Sequence, residues 1–429
     1  MAEFASPNDW KQCRLGELLR EVDIRVRDLP DDEQVSLEVL SLTKDSGLIP
    51  QSERFGRRIA TEDVSKYKVV RPGWIVYNPY VIWEGAIHGL RRSEPGIVSP
   101  VYPVLERTDD DGRFLDFLLR TPPLIEAYNR LCSGAVNRRR SIKLDAFSGI
   151  TVNVPPLAER RAIGCVLGTV QRTKEATAKV IAATRLLKQS VMRHLFTYGP
   201  VRFDQVDQVT LKDTRIGPIS EHWQVVPLGA VVTETQYGLS RRGRADGRYP
   251  ILRMNNLVNG RVAVENLQFV DLGEDDFARF RLNKGDILFN RTNSAELVGK
   301  TAVFDLDGDF VFASYLIRVV PDRSRVCSDS VNYYLNVNGT QARLKQLAAR
   351  AVSQSNINAT KLRGFEIPLP PLSEQEEISM LVRELDRKIE VETVRETALD
   401  SVYKSLLHHL MTGKVRVSHL AVTEAAEVA

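Results

Sequence analysis

The residues best suited to chemistry in this 429-residue chain are basic and amide side chains in short polar runs. Arg138-Arg139-Arg140 with Lys143 make one basic cluster, and Arg241-Arg242 with Arg244 and Arg248 make another. One such cluster reads as a solvated loop. Two of them, one in each half of a chain with a net charge of only +4, point to phosphate contacts. Catalytic patterns fail on inspection. Val298-Gly299-Lys300-Thr301 ends like a phosphate-binding loop, but Ser294 stands where the first glycine is needed, so the backbone cradle does not form. Tyr77-Asn78-Pro79-Tyr80 approaches the Asn-Pro-Pro-aromatic motif of amino-methyltransferases without its second proline, and reads as a strand-end turn. His408 and His409 are adjacent rather than four apart, unlike a helical zinc pair. Cys13, Cys132, Cys165 and Cys327 contain no CxxC pair, which argues against disulfides and structural zinc. No Ser/His/Asp or paired-carboxylate set can be assigned, so the chain is expected to be non-catalytic.

The elements that must position these runs come from a duplication. Pro155-Pro156-Leu157-Ala158-Glu159 opens a run through Thr197, and Pro370-Pro371-Leu372-Ser373-Glu374 opens another through Thr412. The two align without a gap at an offset of 215, with twelve of 43 positions identical. A proline pair stops an extended segment and pre-sets a first helical turn, where a missing N–H costs nothing. Apolar residues then recur at three- and four-residue spacing: Ile163, Val166, Val170, Leu187, Val191 and Leu195 in the first copy; Ile378, Leu381, Leu385, Val402, Leu406 and Leu410 in the second. That spacing predicts two long helices, each a rod of roughly 60 Å, sharing a seam. The seam is weak in its middle, at Thr173, Thr177 and Thr184 and at Lys388 and Glu392, where it is expected to be hydrated or to face a partner.

Trp10 with Leu15-Gly16 and Trp223 with Leu228-Gly229 extend the repeat to the whole of each half. Between these landmarks and the prolines lie β-branched and aromatic runs: Val35 to Leu40, Trp74 to Tyr77, Gly96 to Val98, Asp286 to Phe289 and Phe310 to Ala313. Helices are expected near Leu115 to Leu131 and Asp329 to Leu347. The fold class is therefore α/β (α+β): two mixed domains with an internal repeat. Gly199 to His222 reads as a polar connector, and the end of the chain from Lys414 as a disordered tail. The polar start and the lack of a long apolar run suit a cytoplasmic protein with no membrane segment.

Two variable domains alternating with two helices, each announced by Pro-Pro-Leu-x-Glu, resemble the DNA specificity subunits of type I restriction-modification systems. Ile367 to Gln375 with Ile378, the ending Leu410-Met411-Thr412-Gly413-Lys414, the connector Lys212 to Trp223, and Ala313-Ser314-Tyr315-Leu316 all match that pattern. The resemblance implies target recognition domains at 1–155 and 221–370 and conserved spacer helices at 156–199 and 371–413, joined by a connector at 200–220, with the tail at 414–429. The helices would form an antiparallel coiled coil with a pseudo-two-fold repeat. The target would be double-stranded DNA, bipartite, with an unread spacer of fixed length. Two modification (methyltransferase) subunits would dock, bringing S-adenosylmethionine, and restriction (translocase/endonuclease) subunits would bring ATP and Mg2+; the chain itself would need no cofactor or metal.

Candidate DNA contacts follow from side-chain capability, Arg suiting guanine and Asn adenine in the major groove. In the second domain they are Arg253, Asn255, Asn256, Arg291, Asn293, Ser294, Lys300, Gln354 and Asn356. In the first they are Lys44, Gln51, Arg54, Asn78, Ser99, Tyr102, Arg139 and Lys143. The rival readings are a self-contained restriction enzyme or methyltransferase, for which no cofactor loop or nuclease cluster is found, and a coiled-coil scaffold that reads no DNA.

Overall fold

A computed structural model describes residues 7, 9–30, 37–57, 59–60, 63–133, 140–291, 297–349 and 356–418. Each proline pair leads directly into a long helix, Leu157–Tyr198 (42 residues) and Leu372–Met411 (40 residues), neither containing an internal proline. Two compact units result, and their boundary cuts both helices. Unit 1 holds residues 1–177 and 395–429, and unit 2 holds 178–394. Each unit therefore owns a portion of each helix. Among the described residues no helix is long and apolar enough to cross a membrane.

In unit 1 a four-rung antiparallel ribbon joins β1 (Lys11–Arg14) to the strand just before the first proline pair, Thr151–Val154. A four-stranded antiparallel sheet follows, with Leu19–Val22, Val104–Arg107, Ile75–Tyr77 and Ile87–Gly89 side by side in that order. A second sheet sets Glu38–Leu42 parallel to Gly96–Val98. Unit 2 repeats the plan. Gln224–Pro227 pairs with Glu366–Leu369 in a four-rung ribbon. Val232–Tyr237, Leu316–Pro321, Ile287–Asn290 and Thr301–Val303 lie side by side in the corresponding order, and two short strands extend that sheet. Tyr249–Leu252 runs parallel to Val311–Phe312. The duplication thus reaches strand order and parallel pairing, where sequence identity is no longer visible. The expected helices are each broken in two, at Phe114–Leu118 and Pro122–Leu131 and at Ser328–Leu335 and Asn338–Ala349.

Within each unit the two long helices pack antiparallel. In unit 1, Ile163, Leu167 and Leu410 are buried in one core with Leu406 and Tyr403 against it, and Lys174 pairs with Asp400. In unit 2, Met192, Leu195, Ile378 and Val382 are buried together, and Lys188 pairs with Asp386, which also accepts the Tyr333 hydroxyl at 2.9 Å. The seam differs in detail from the expected one. Leu187, Leu381 and Val402 are 50, 41 and 47% exposed, and their chain neighbours Lys188, Val382 and Tyr403 take the packed positions. A lysine whose charge is met by an aspartate is as good a seam residue as leucine, and apolar spacing alone cannot anticipate it. Thr177 and Thr184, expected to be weak points, are buried to 3 and 9% exposure, and the Thr184 hydroxyl donates back to the Val180 carbonyl.

The glutamate that opens each helix is held by a segment that follows the other. Glu374 accepts the Trp223 indole N–H at 2.9 Å and pairs with His222 at 2.8 Å. Glu159, 1% exposed, accepts the Arg416 guanidinium at 2.8 and 2.7 Å and the Val417 N–H at 3.2 Å. Arg416 and Val417 of the expected tail thus pack into unit 1, and Arg416 also binds Asp9. Gly164 meets the turn at Gly112 so closely that a Cβ would lie 1.8 Å from the Gly112 carbonyl oxygen.

Two stability predictions follow from unit 1. Gly164→Ala forces the 109–113 turn off the first helix, and denaturant unfolding should show a loss of about 1–3 kcal/mol; an unchanged midpoint would mean the turn gives way freely. His88 is 4% exposed, with Nε2 bonded to the Lys44 carbonyl oxygen at 3.1 Å. Burial, helped by nearby Arg120, pushes its imidazole down to about 4 from 6.5. The unfolded chain therefore binds one more proton between those values, so stability should fall as pH drops through that window and level off below it, by on the order of 3 kcal/mol in all. His88→Gln should make the pH dependence of thermal unfolding shallower by about one proton in that window. An identical profile would refute the assignment.

Candidate nucleic-acid interface

In unit 2 the strand Ile287–Asn290 ends in a buried asparagine, Asn290, whose amide donates to the Leu297 carbonyl at 2.7 Å. The next residue, Arg291, is held from three sides. Its Nε donates to the Ser314 carbonyl at 3.0 Å, its Nη1 to Asn356 Oδ1 at 3.4 Å, and its guanidinium lies 4.9 Å from the Tyr237 ring centre. The Tyr237 hydroxyl is fixed in turn by the Ala359 N–H at 2.9 Å. Nη2 has no partner among the described residues, on a fork whose plane is set by stacking. Tyr237 and Tyr315, 41 and 51% exposed, flank the patch. Arg291 and Asn356 are among the sequence candidates and Tyr237 is not, its one signal being an aromatic at a strand end just before the Arg241 cluster.

Unit 1 repeats the backbone of this patch with other side chains. The Arg291 carbonyl accepts from Ile357 N–H at 2.9 Å, and the Pro79 carbonyl accepts from Ile142 N–H at 3.2 Å, the two isoleucines standing at the same offset of 215 as the helices. Here exposed Tyr80 follows the strand end, Arg140 lies 5.1 Å from the Trp83 ring centre, and Lys143 is exposed. Asn78 and Tyr102 come together, the amide donating to the hydroxyl at 3.2 Å, and burial raises that hydroxyl's pKa. The Ser99 carbonyl accepts the Tyr102 N–H at 3.0 Å. Lys44 and Arg54 have exposed side chains elsewhere, Arg54 stacking on Phe55.

Other candidates are committed to the fold. Asn256, 2% exposed, spends its amide on the Ala263 and Glu265 carbonyls and accepts the Arg253 N–H, so it has nothing left for a base. Arg253 reaches the Asn266 carbonyl at 2.8 Å. Gln51 accepts both the Ile59 and Ala60 N–H groups at 3.0 Å. Polar residues in turns look alike in sequence whether they face solvent or tie the turn together. The Arg241 cluster is partly neutralised, with Arg241 on Asp276 and Arg244 on Asp271, while Arg242 is exposed. Asn255 and Lys300 line a cavity of about 590 Å³ in unit 2. Arg139, Asn293, Ser294 and Gln354 lie outside the described residues.

Residues 220–400, which contain the whole Arg291 patch, match the family described as type I restriction modification DNA specificity domain. The chain is 32% identical over 204 residues to a provisionally named type I restriction enzyme MjaX specificity subunit of Methanocaldococcus jannaschii, covering 47% of this chain and 48% of that one. It is 24% identical to the MjaVIII specificity subunit of the same organism over 96% of this chain and 95% of the other. Against the EcoKI specificity subunit of Escherichia coli the identity is 26% over 57% of this chain and 52% of the relative. The chain thus spans about half the length of two of these relatives and nearly all of the third. In fold it is similar to a type I restriction-modification S subunit from M. genitalium, with a TM-score of 0.60 at 12% identity over 96% of this chain and 97% of that one. The specificity-domain match over residues 220–400, the end-to-end relative and the shared fold together make the chain similar to the DNA specificity subunits of type I restriction-modification systems.

Proposed function

We propose that this chain is the address-reading component of its complex: its two domains each read a short DNA sequence, and the long helices carry the partner subunits. The observation that carries the reading is the repeated strand order in units 1 and 2, which places the same backbone patch, at Pro79/Ile142 and at Arg291/Ile357, under two different sets of side chains. One scaffold with two surfaces suits a target of two unequal half-sites. Arg291 is poised for a guanine, with a pre-set fork and an Nη2 that no described residue engages. Phosphate contacts from lysines and arginines around the patch would supply affinity but no sequence information. In this reading the chemistry lies elsewhere. Modification subunits bring S-adenosylmethionine and take the target adenine out of the stack, and restriction subunits bring ATP and Mg2+.

The test is a methylome. The chain is co-expressed with its modification subunit in a host without adenine methylation, and modified adenines are mapped by long-read sequencing. One bipartite motif with a constant gap is the expected result; no new modification, despite a purified complex of the two proteins, would favour a scaffold that reads no DNA. Arg291→Ala should relax the motif in one half-site only, with about 1–3 kcal/mol lost for the correct base pair there. Equal relaxation of both halves would remove Arg291 from the readout set.

A further inference from the structure

The cavity in unit 2 joins two kinds of surface that the reading above keeps apart. One wall is the recognition domain, with Asn255, Asn259 and Lys300; the other is the long helices, with Arg185, Lys188 and Asp386. The Lys300 carbonyl accepts the Asn290 N–H at 2.8 Å, next to Arg291, so the cavity adjoins the candidate base-reading patch. Its charge is one-sided. The single carboxylate among the described lining residues, Asp386, is already met by Lys188, by the Tyr333 hydroxyl at 2.9 Å and by Arg261 at 3.9 Å. Arg185 and Lys300 have no carboxylate partner among the described residues, and Arg185 is exposed. A volume of about 590 Å³ is far more than one ion needs and is of the size that holds a nucleotide-sized ligand.

We propose that this cleft seats the DNA backbone of the second half-site, with Arg185 of the first long helix and Lys300 of the domain as its phosphate contacts. The proposal rests on the DNA-reading function and adds to it a grip from the helix, which carries no sequence information. A diester group gives two cations an anion that no described residue supplies, and Asn255 offers a neutral donor on the same wall. The grip belongs to one half only. At the offset of 215 the counterpart of Arg185 is Asp400, which is held by Lys174 and Lys404. An acidic side chain there would repel a phosphate, so the two half-sites are held with different salt dependence.

The experiment measures binding of the full chain, in complex with its modification subunit, to a duplex carrying the motif found by methylome mapping, across a series of salt concentrations. Each phosphate contact adds about 0.9 to the slope of log affinity against log salt. Arg185→Ala and Lys300→Ala should each lower the slope by about one and weaken matched and unrelated duplexes alike, with the methylated motif unchanged. Arg193→Ala, on the same helix outside the cavity, should leave the slope as it is. Unchanged slopes in both cavity variants, while the parent binds its motif specifically, would overturn the phosphate seat and leave the function standing. Loss of the modification subunit from the Arg185→Ala complex, with the slope intact, would assign the cleft to an acidic protein segment instead. A parent complex that binds no sequence specifically would overturn both.

Discussion

An ion pair in the helix seam, made once in each unit, is the constraint on which the arrangement depends. Lys174 meets Asp400 in unit 1, and Lys188 meets Asp386 in unit 2, each lysine from the first long helix and each aspartate from the second. Two helices with only leucine and valine facing each other could slide by a heptad or turn end for end at little cost, whereas charged seam positions admit one partner and one register. The whole helices agree with this choice. The first carries eight Lys or Arg and two Asp or Glu; the second carries five and nine. Either helix paired with its own copy would set like charges together.

Around that constraint the protein spends its sequence unevenly. Ribbons, strand order, proline pairs and opening glutamates are repeated, while the residues that follow the asparagine at the end of each central strand, Pro79 and Arg291, are not. In unit 2 the patch is an arginine stacked on tyrosine and held by an asparagine; in unit 1 proline occupies the same backbone position and the cation, Arg140, sits on tryptophan. Hydrogen bonding between main-chain groups does not depend on side chains, so the frame can stay while its exposed face changes.

Much of the frame was legible because duplication leaves a signal that propensity does not. The two long helices lie where patterning predicts and the five named strand runs each overlap an observed strand, since two weak signals at one offset support each other. Seam residues were harder: Leu187 looks better than Lys188 on hydropathy, and only the aspartate opposite reverses the choice. Surface residues were hardest. Asn256 and Asn255 are adjacent and identical in type, yet one is tied to two carbonyls and the other faces a cavity. Nothing local distinguishes them, because the difference is made by residues that arrive from elsewhere in the chain. The grip of Arg185 was invisible for the same reason.

The joints between domain and helix are short. The last strand of unit 1 ends at Val154 and its helix begins at Leu157; in unit 2 the strand ends at Leu369 and the helix begins at Leu372. Only two residues intervene in each case, both proline, with the φ angle fixed in each ring. There is no slack in such a joint. A torque applied to a helix is passed into the ribbon at the base of the domain before it, and no hinge lies between them to take it up.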